Sequence, residues 1–80
     1  MANMRDKLIK LVGKKVAIDS GVGYLCIKPL VSNPIWYDEI IEIGDDYFVV
    51  KKVFKDEYLQ HRNCKTTYAI SGVSSIEGGL

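Results

Sequence analysis

At Gly13 the apolar periodicity of this chain changes from 3.6 residues to 2, and that switch constrains the fold more than any other feature. Before it, Met4, Leu8, Leu11 and Val12 fall at i, i+4, i+7 and i+8, one stripe of an amphipathic helix, with Arg5, Lys7 and Lys10 on the outside. Asn3 is the expected N-cap, Asp6 suits the positive helix end, and Gly13 supplies a left-handed stop. After the switch, Val16 and Ile18 alternate with Ala17 and Asp19, and Ser20-Gly21-Val22-Gly23 closes the strand with turn chemistry. Tyr24 to Ile27 is a second short extended run. Lys28 to Pro34 holds both prolines together with Ser32 and Asn33 and reads as a loop.

From Ile35 to Ile43 the pattern is β-rich again, and Gly44-Asp45-Asp46 is a tight hairpin turn in which Gly44 is expected to take a positive φ. In Tyr47–Phe54 six of eight residues are β-branched or aromatic, the composition of a half-buried strand. Lys55 to Lys65 is a polar connection, Thr66–Ser71 a strand, Gly72 a bend, Val73–Glu77 a last strand, and residues 78–80 a frayed tail. Five or six short strands in 80 residues predict one mainly β domain over 1–80. Its expected form is an N-terminal helix followed by a small, strongly bent five-stranded antiparallel barrel, since closure removes exposed edges. A parallel α/β fold is excluded, because no crossover helix separates any two strands.

Composition narrows function mainly by exclusion. Eleven basic against ten acidic residues give a formal charge of +1, no strong pull toward phosphates, although a symmetric oligomer could repeat a local patch. No apolar run approaches the roughly 20 residues of a membrane-spanning helix, and Arg5, Asp6, Lys7 and Lys10 break any leader-like stretch, so a cytoplasmic protein without a membrane partner is expected. Cys26 and Cys64 make no disulfide framework and lack CxxC spacing; with the single His61 they form no metal site, and both read as buried or idle thiols. His61 reads as solvated, Asp45-Asp46 as turn residues, and Glu39 and Glu42 as the wet side of a strand. Gly21-Val22-Gly23 lacks the third glycine and the helix of a dinucleotide loop. No enzyme, no cofactor and no small-molecule substrate is expected.

The order of elements carries a resemblance. A helix ending in Leu11-Val12-Gly13-Lys14-Lys15-Val16 and followed by a bent sheet resembles the Sm-like family, including the Hfq-type bacterial RNA chaperones. Glu39-Ile40-Ile41-Glu42-Ile43-Gly44-Asp45-Asp46-Tyr47-Phe48-Val49-Val50-Lys51 is similar to the family's first motif, and Tyr68-Ala69-Ile70-Ser71-Gly72-Val73 to its second. The likeness covers residues 4–20 and 37–77, with Tyr24 to Trp36 as an insertion between the first two barrel strands. Asp38 and Phe48 fall near the places of the family's Gly and Asn, Thr66-Thr67-Tyr68 replaces the Tyr-Lys-His string, and Ser71 stands where Sm proteins carry Arg.

The resemblance implies a non-enzymatic ring-shaped homo-oligomer that binds single-stranded RNA, with Asp45, Asp46, Tyr47, Tyr68, Ser71 and Gly72 at the RNA. Tyr47 and Tyr68 are the stacking candidates, a base on an aromatic face contributing roughly 1–3 kcal/mol. Subunits would meet through strand edges bearing Thr66, Tyr68, Ile70, Val73 and Ser75. The alternative is a small Sm-like or SH3-like barrel that binds protein through the apolar Lys28–Trp36 loop, with Leu30, Ile35 and Trp36 as contacts.

Overall fold

A computed structural model describes residues 3–77; the expected tail at 78–80 lies outside them. The elements are α1 (Met4–Ile9), β1 (Lys15–Gly21), β2 (Tyr24–Lys28), β3 (Trp36–Ile43), β4 (Tyr47–Phe54), a 3₁₀ segment (Glu57–Arg62), β5 (Cys64–Ala69), a 3₁₀ turn (Ile70–Gly72) and β6 (Ser75–Ile76). The fold is mainly β with a short N-terminal helix, as expected. The sheet, however, has six strands in the order β5-β4-β3-β1-β2-β6, and its end strands do not pair with each other. It is also mixed, because β6 runs parallel to β2 through Cys26↔Ser75 and Ile27↔Ile76, whereas every other pairing is antiparallel.

Helix α1 starts where the sequence places it. Asn3 accepts from the Asp6 amide at 2.9 Å while the Asp6 carboxylate accepts from the Asn3 amide at 3.4 Å, a reciprocal capping box. The helix ends at Ile9, earlier than the apolar stripe suggests. Bonds of the i→i−3 kind, Leu11 N to Leu8 O and Val12 N to Ile9 O, tighten the last turn. That rotation buries Leu11 and leaves Val12 exposed. Gly13 has φ +85° and donates to Ile40 O at 3.1 Å, so the reversal it enables ties the helix to β3. Arg5 Nε donates to Gly44 O at 2.9 Å, fixing the helix at the β3–β4 turn as well.

Gly44 has no positive φ; the reason for glycine there is contact, since any Cβ would fall inside the Tyr47 ring. The core is Leu8, Leu11, Val16, Leu25, Ile27, Ile40, Phe48 and Val50, with Tyr68 packed against Phe48 at 5.5 Å between ring centroids. A bulge at Ile41 changes the phase of β3. Trp36, Asp38 and Ile40 share the inner face; beyond the bulge Glu42 pairs with Val49 outside and Ile43 with Phe48 inside.

One charged side chain is buried among these groups. Asp38 is 3% exposed, and its Oδ2 accepts from the Ile18 amide at 3.0 Å. This bond lies just past the last β1–β3 pair, Val16↔Asp38, where β1 changes partner to β2 at Ala17↔Lys28. Burial raises the Asp38 pKa above its ordinary 3.8, opposed by the Ile18 bond and the nearby Lys52 charge. The folded state therefore holds this proton to higher pH than the unfolded chain. The group's contribution is fully present below 3.8 and is lost as pH rises through the folded-state value. Asp38→Asn keeps an acceptor for Ile18 but does not titrate. Its stability relative to the wild type should rise from about pH 3 to about pH 6 in denaturant titrations; a constant difference would refute the assignment. Asp38→Val leaves the Ile18 amide without an acceptor and should cost about 1–3 kcal/mol.

Candidate functional site: an apolar cleft at one end of the sheet

The β2–β3 connection and the start of β3 form a cleft of about 360 Å³ lined by Ala17, Leu30, Val31, Asn33, Pro34, Ile35 and Trp36. Leu30, Ile35 and Trp36, the expected protein-binding residues, thus come together. Trp36 belongs to β3 rather than to the loop, paired with Phe54. Ile35 O accepts from Lys55 N at 3.0 Å, and Phe54 is clamped by side chains from the following 3₁₀ segment: its N–H donates to Asn63 Oδ1 at 2.8 Å and its carbonyl accepts from Gln60 Nε2 at 3.2 Å. One wall is therefore held by the sheet. The other turns through Asn33 at φ +53°, a left-handed position that asparagine tolerates. Val31 and Ile35 remain 75% and 67% exposed at the mouth.

One lysine side chain lies against a wall of this cleft. Lys52 Nζ lies 4.1 Å from the Trp36 ring centroid. Lys55 is bound by its backbone to Ile35, whereas Lys15 Nζ lies 4.8 Å from the ring of Tyr37, on the opposite face of β3 from Trp36. Lys28, paired with Ala17, is bridged to Asp19 at 3.4 Å, the sole ion pair among the described residues. The lysines were hidden from sequence reasoning because their position depends on strand register: Lys52 stands beside Trp36 only because Asp38↔Lys52 and Trp36↔Phe54 are pairs.

The expected RNA-binding residues divide between two places. Tyr68, Ser71 and Gly72 line a second groove, of about 740 Å³, with Tyr24, Ser20 and Ser74. Asp45, Asp46 and Tyr47 occupy the β3–β4 turn, and Asp46 O accepts from Ile70 N at 2.9 Å. The two stacking candidates do not form one platform. Tyr68 pairs with Phe48 on the inner face, whereas Tyr47 pairs with Ala69 on the outer face. Tyr47 donates its hydroxyl to Glu42 Oε2 at 3.3 Å, and the charge of Glu42, that bond and the charges of Asp45 and Asp46 raise its pKa above 10.0. Negative charge of this kind repels phosphate. No Lys or Arg lines the second groove.

Of the expected subunit-contact residues, Thr66 and Tyr68 lie on edge strand β5 and Ser75 on β6. Ile70 is in the 3₁₀ turn and Val73 follows it, so neither continues a strand edge. Cys64 is exposed; Cys26 is half-buried and its sulfur accepts from the Ser75 hydroxyl at 3.2 Å. Among the described residues no cluster of His, Cys, Asp and Glu could hold a metal ion, and no helix is long and apolar enough to cross a membrane. No family model, no curated protein and no solved structure matches the chain.

Lys52→Met removes a cation from the Trp36 face, about 0.5–1 kcal/mol at a site of this exposure. It also removes the positive charge that holds the Asp38 proton affinity down. Its stability deficit should therefore widen from acid to neutral pH, read by urea titration at both; a pH-independent deficit would leave only the ring contact.

Proposed function

We propose that this domain is a non-catalytic docking module whose cleft receives apolar side chains of a partner, with a carboxylate on the partner meeting Lys52. The observation that carries it is the exposure of Val31 and Ile35 over a cleft whose Trp36 wall is fixed by the β3–β4 ladder. A loop serving only to cover the core would turn such side chains inward; an exposed apolar surface beside a wall held by the sheet is the form of a binding site. The Lys52 ammonium beside the Trp36 wall adds charge selectivity and faster encounter.

The Sm-like reading of the fold draws support from strand order. With β2 set aside, β5-β4-β3-β1-β6 remains, and β6, parallel to β2, runs antiparallel to β1, as an all-antiparallel five-stranded barrel with one inserted strand would have it. The RNA reading retains one favourable observation, Tyr24 and Tyr68 lining a solvent-open groove with Ser71 and Gly72. It lacks cations there, so phosphate contacts would need a neighbouring subunit.

An anionic apolar dye, anilinonaphthalene sulfonate, tests the docking reading, with the sole tryptophan, Trp36, as energy-transfer donor. The wild type should bind with quenched Trp36 emission. Ile35→Asp should weaken binding about tenfold while changing stability by less than about 0.5 kcal/mol, as at other exposed positions. Unchanged affinity in Ile35→Asp would overturn it. U-rich RNA titrated at low salt separates the rival: binding that Tyr24→Ala abolishes and Ile35→Asp leaves intact would establish the RNA reading instead.

A further inference from the structure

The near-zero net charge conceals a separation along β3 and β4. The paired strands place Trp36↔Phe54 at one end and Ile43↔Phe48 at the other, about 20 Å apart over six steps of β4 at ordinary strand rise. Lys52 lies over the Trp36 ring at the first end, and Lys55 follows Phe54 there, with Asp56 and Glu57 next in the chain. The second end, the β3–β4 turn, carries Glu42, Asp45 and Asp46, all exposed, against one guanidinium, that of Arg5 on Gly44 O. This turn also presents apolar surface. Ile41, pushed out of the ladder by the bulge, is 36% exposed, and Tyr47, lying over Gly44, is 39% exposed. A narrow hairpin tip bearing an isoleucine, a tyrosine and three carboxylates thus stands at the other end of the strands from an apolar cleft with Lys52 against its Trp36 wall.

We propose that the occupant of the cleft is the β3–β4 tip of a second copy of this chain. The inference rests on the docking reading and gives it a partner. The contact is heterologous: each molecule offers a tip and a cleft, on opposite ends, so the same contact repeats from copy to copy and closes into a ring or runs on as a chain. Tyr47 and Ile41 enter between Leu30, Val31, Ile35 and Trp36, and the tip carboxylates meet Lys52 and Lys55. The raised Tyr47 pKa keeps the phenol neutral across the physiological range. Charge steers the encounter, so association depends on salt; exposed charges are largely screened beyond about 10 Å at 0.1 M ionic strength.

Sedimentation velocity with two variants tests this. Asp45→Lys with Asp46→Lys reverses the tip, and Ile35→Asp spoils the cleft; all three side chains are exposed, so the fold should survive, which circular dichroism checks. The wild type should sediment as more than one chain at about 10 mM salt and at least tenfold more weakly at about 0.5 M. Each variant alone should be a single chain. Mixed in equal amounts they should give a species of two chains and no larger, because the mixture has one working tip and one working cleft per pair. A wild type that stays a single chain at low salt overturns the proposal, and so does association that persists in either variant, which would put the contact elsewhere, the β5 edge included. Dye binding tells the two levels apart. A single-chain wild type that still binds the dye through Ile35 loses only the self-docking inference, whereas loss of the dye result removes the docking reading as well.

Discussion

Two strands that are neighbours in sequence stand at opposite ends of the sheet, and the rest of the architecture follows from that constraint. β5 ends at Ala69 and β6 begins at Ser75, with a 3₁₀ turn and two further residues between them. Six flat strands would put those ends about 24 Å apart, while the connection reaches only about 16 Å, at about 2 Å per 3₁₀ residue and 3.4 Å per extended step. The sheet must curl. Several local features permit it: the bulge at Ile41, the partner change of β1 between β3 and β2, and the glycines that let the Gly44 and Gly13 turns close. Asp38 stands at the partner change. It accepts from an amide that the β1–β3 ladder no longer serves, which is why a carboxylate is tolerated in so small a core despite the energetic cost of burying it.

Curling also decides what each end of the sheet can do. The β3–β4 pair lies between β5 and β1 in the sheet, with the β2–β3 connection at one end and a short acidic turn at the other. The two ends present apolar area, aromatic faces and charge.

How much of this was legible in the sequence depended on whether the deciding contact was local. β4 was readable to its exact ends, because six β-formers between a Gly-Asp-Asp turn and a polar stretch leave no alternative. Asn3 was readable as the N-cap and Asp6 as a charge suited to the helix start, while the reciprocal bond from the Asn3 amide to Asp6 came only with the structure. The pair Ile40-Ile41 is a trace of the bulge, two apolar residues where alternation allows one, and it can be recognised only once the register of β4 is known. Both Tyr24–Ile27 and Val73–Glu77 were readable as extended runs, but their parallel pairing as β2·β6 and the buried state of Asp38 depend on groups 20 to 49 residues away in sequence and leave no periodic mark. The same holds for the site. The apolar character of Leu30–Trp36 could be read directly, the place of Lys52 beside it could not, and the opposite facing of Tyr47 and Tyr68 required strand pairing rather than composition.

The attachment of β6 shapes how the molecule assembles itself. Only two residue pairs, the reciprocal Leu25–Ser74 contacts, the Glu77 amide on Ile27 O and the Ser75 hydroxyl on Cys26 hold the C-terminal strand to β2, across a span of 49 residues. The β1–β2 and β3–β4 hairpins close over a few residues each, whereas this contact closes nearly two-thirds of the chain into one loop. Its ordering entropy falls late, after the hairpins have already positioned its partner. In the finished protein the same strand is the latch: the least-anchored element of the sheet, and the first to open when the domain breathes.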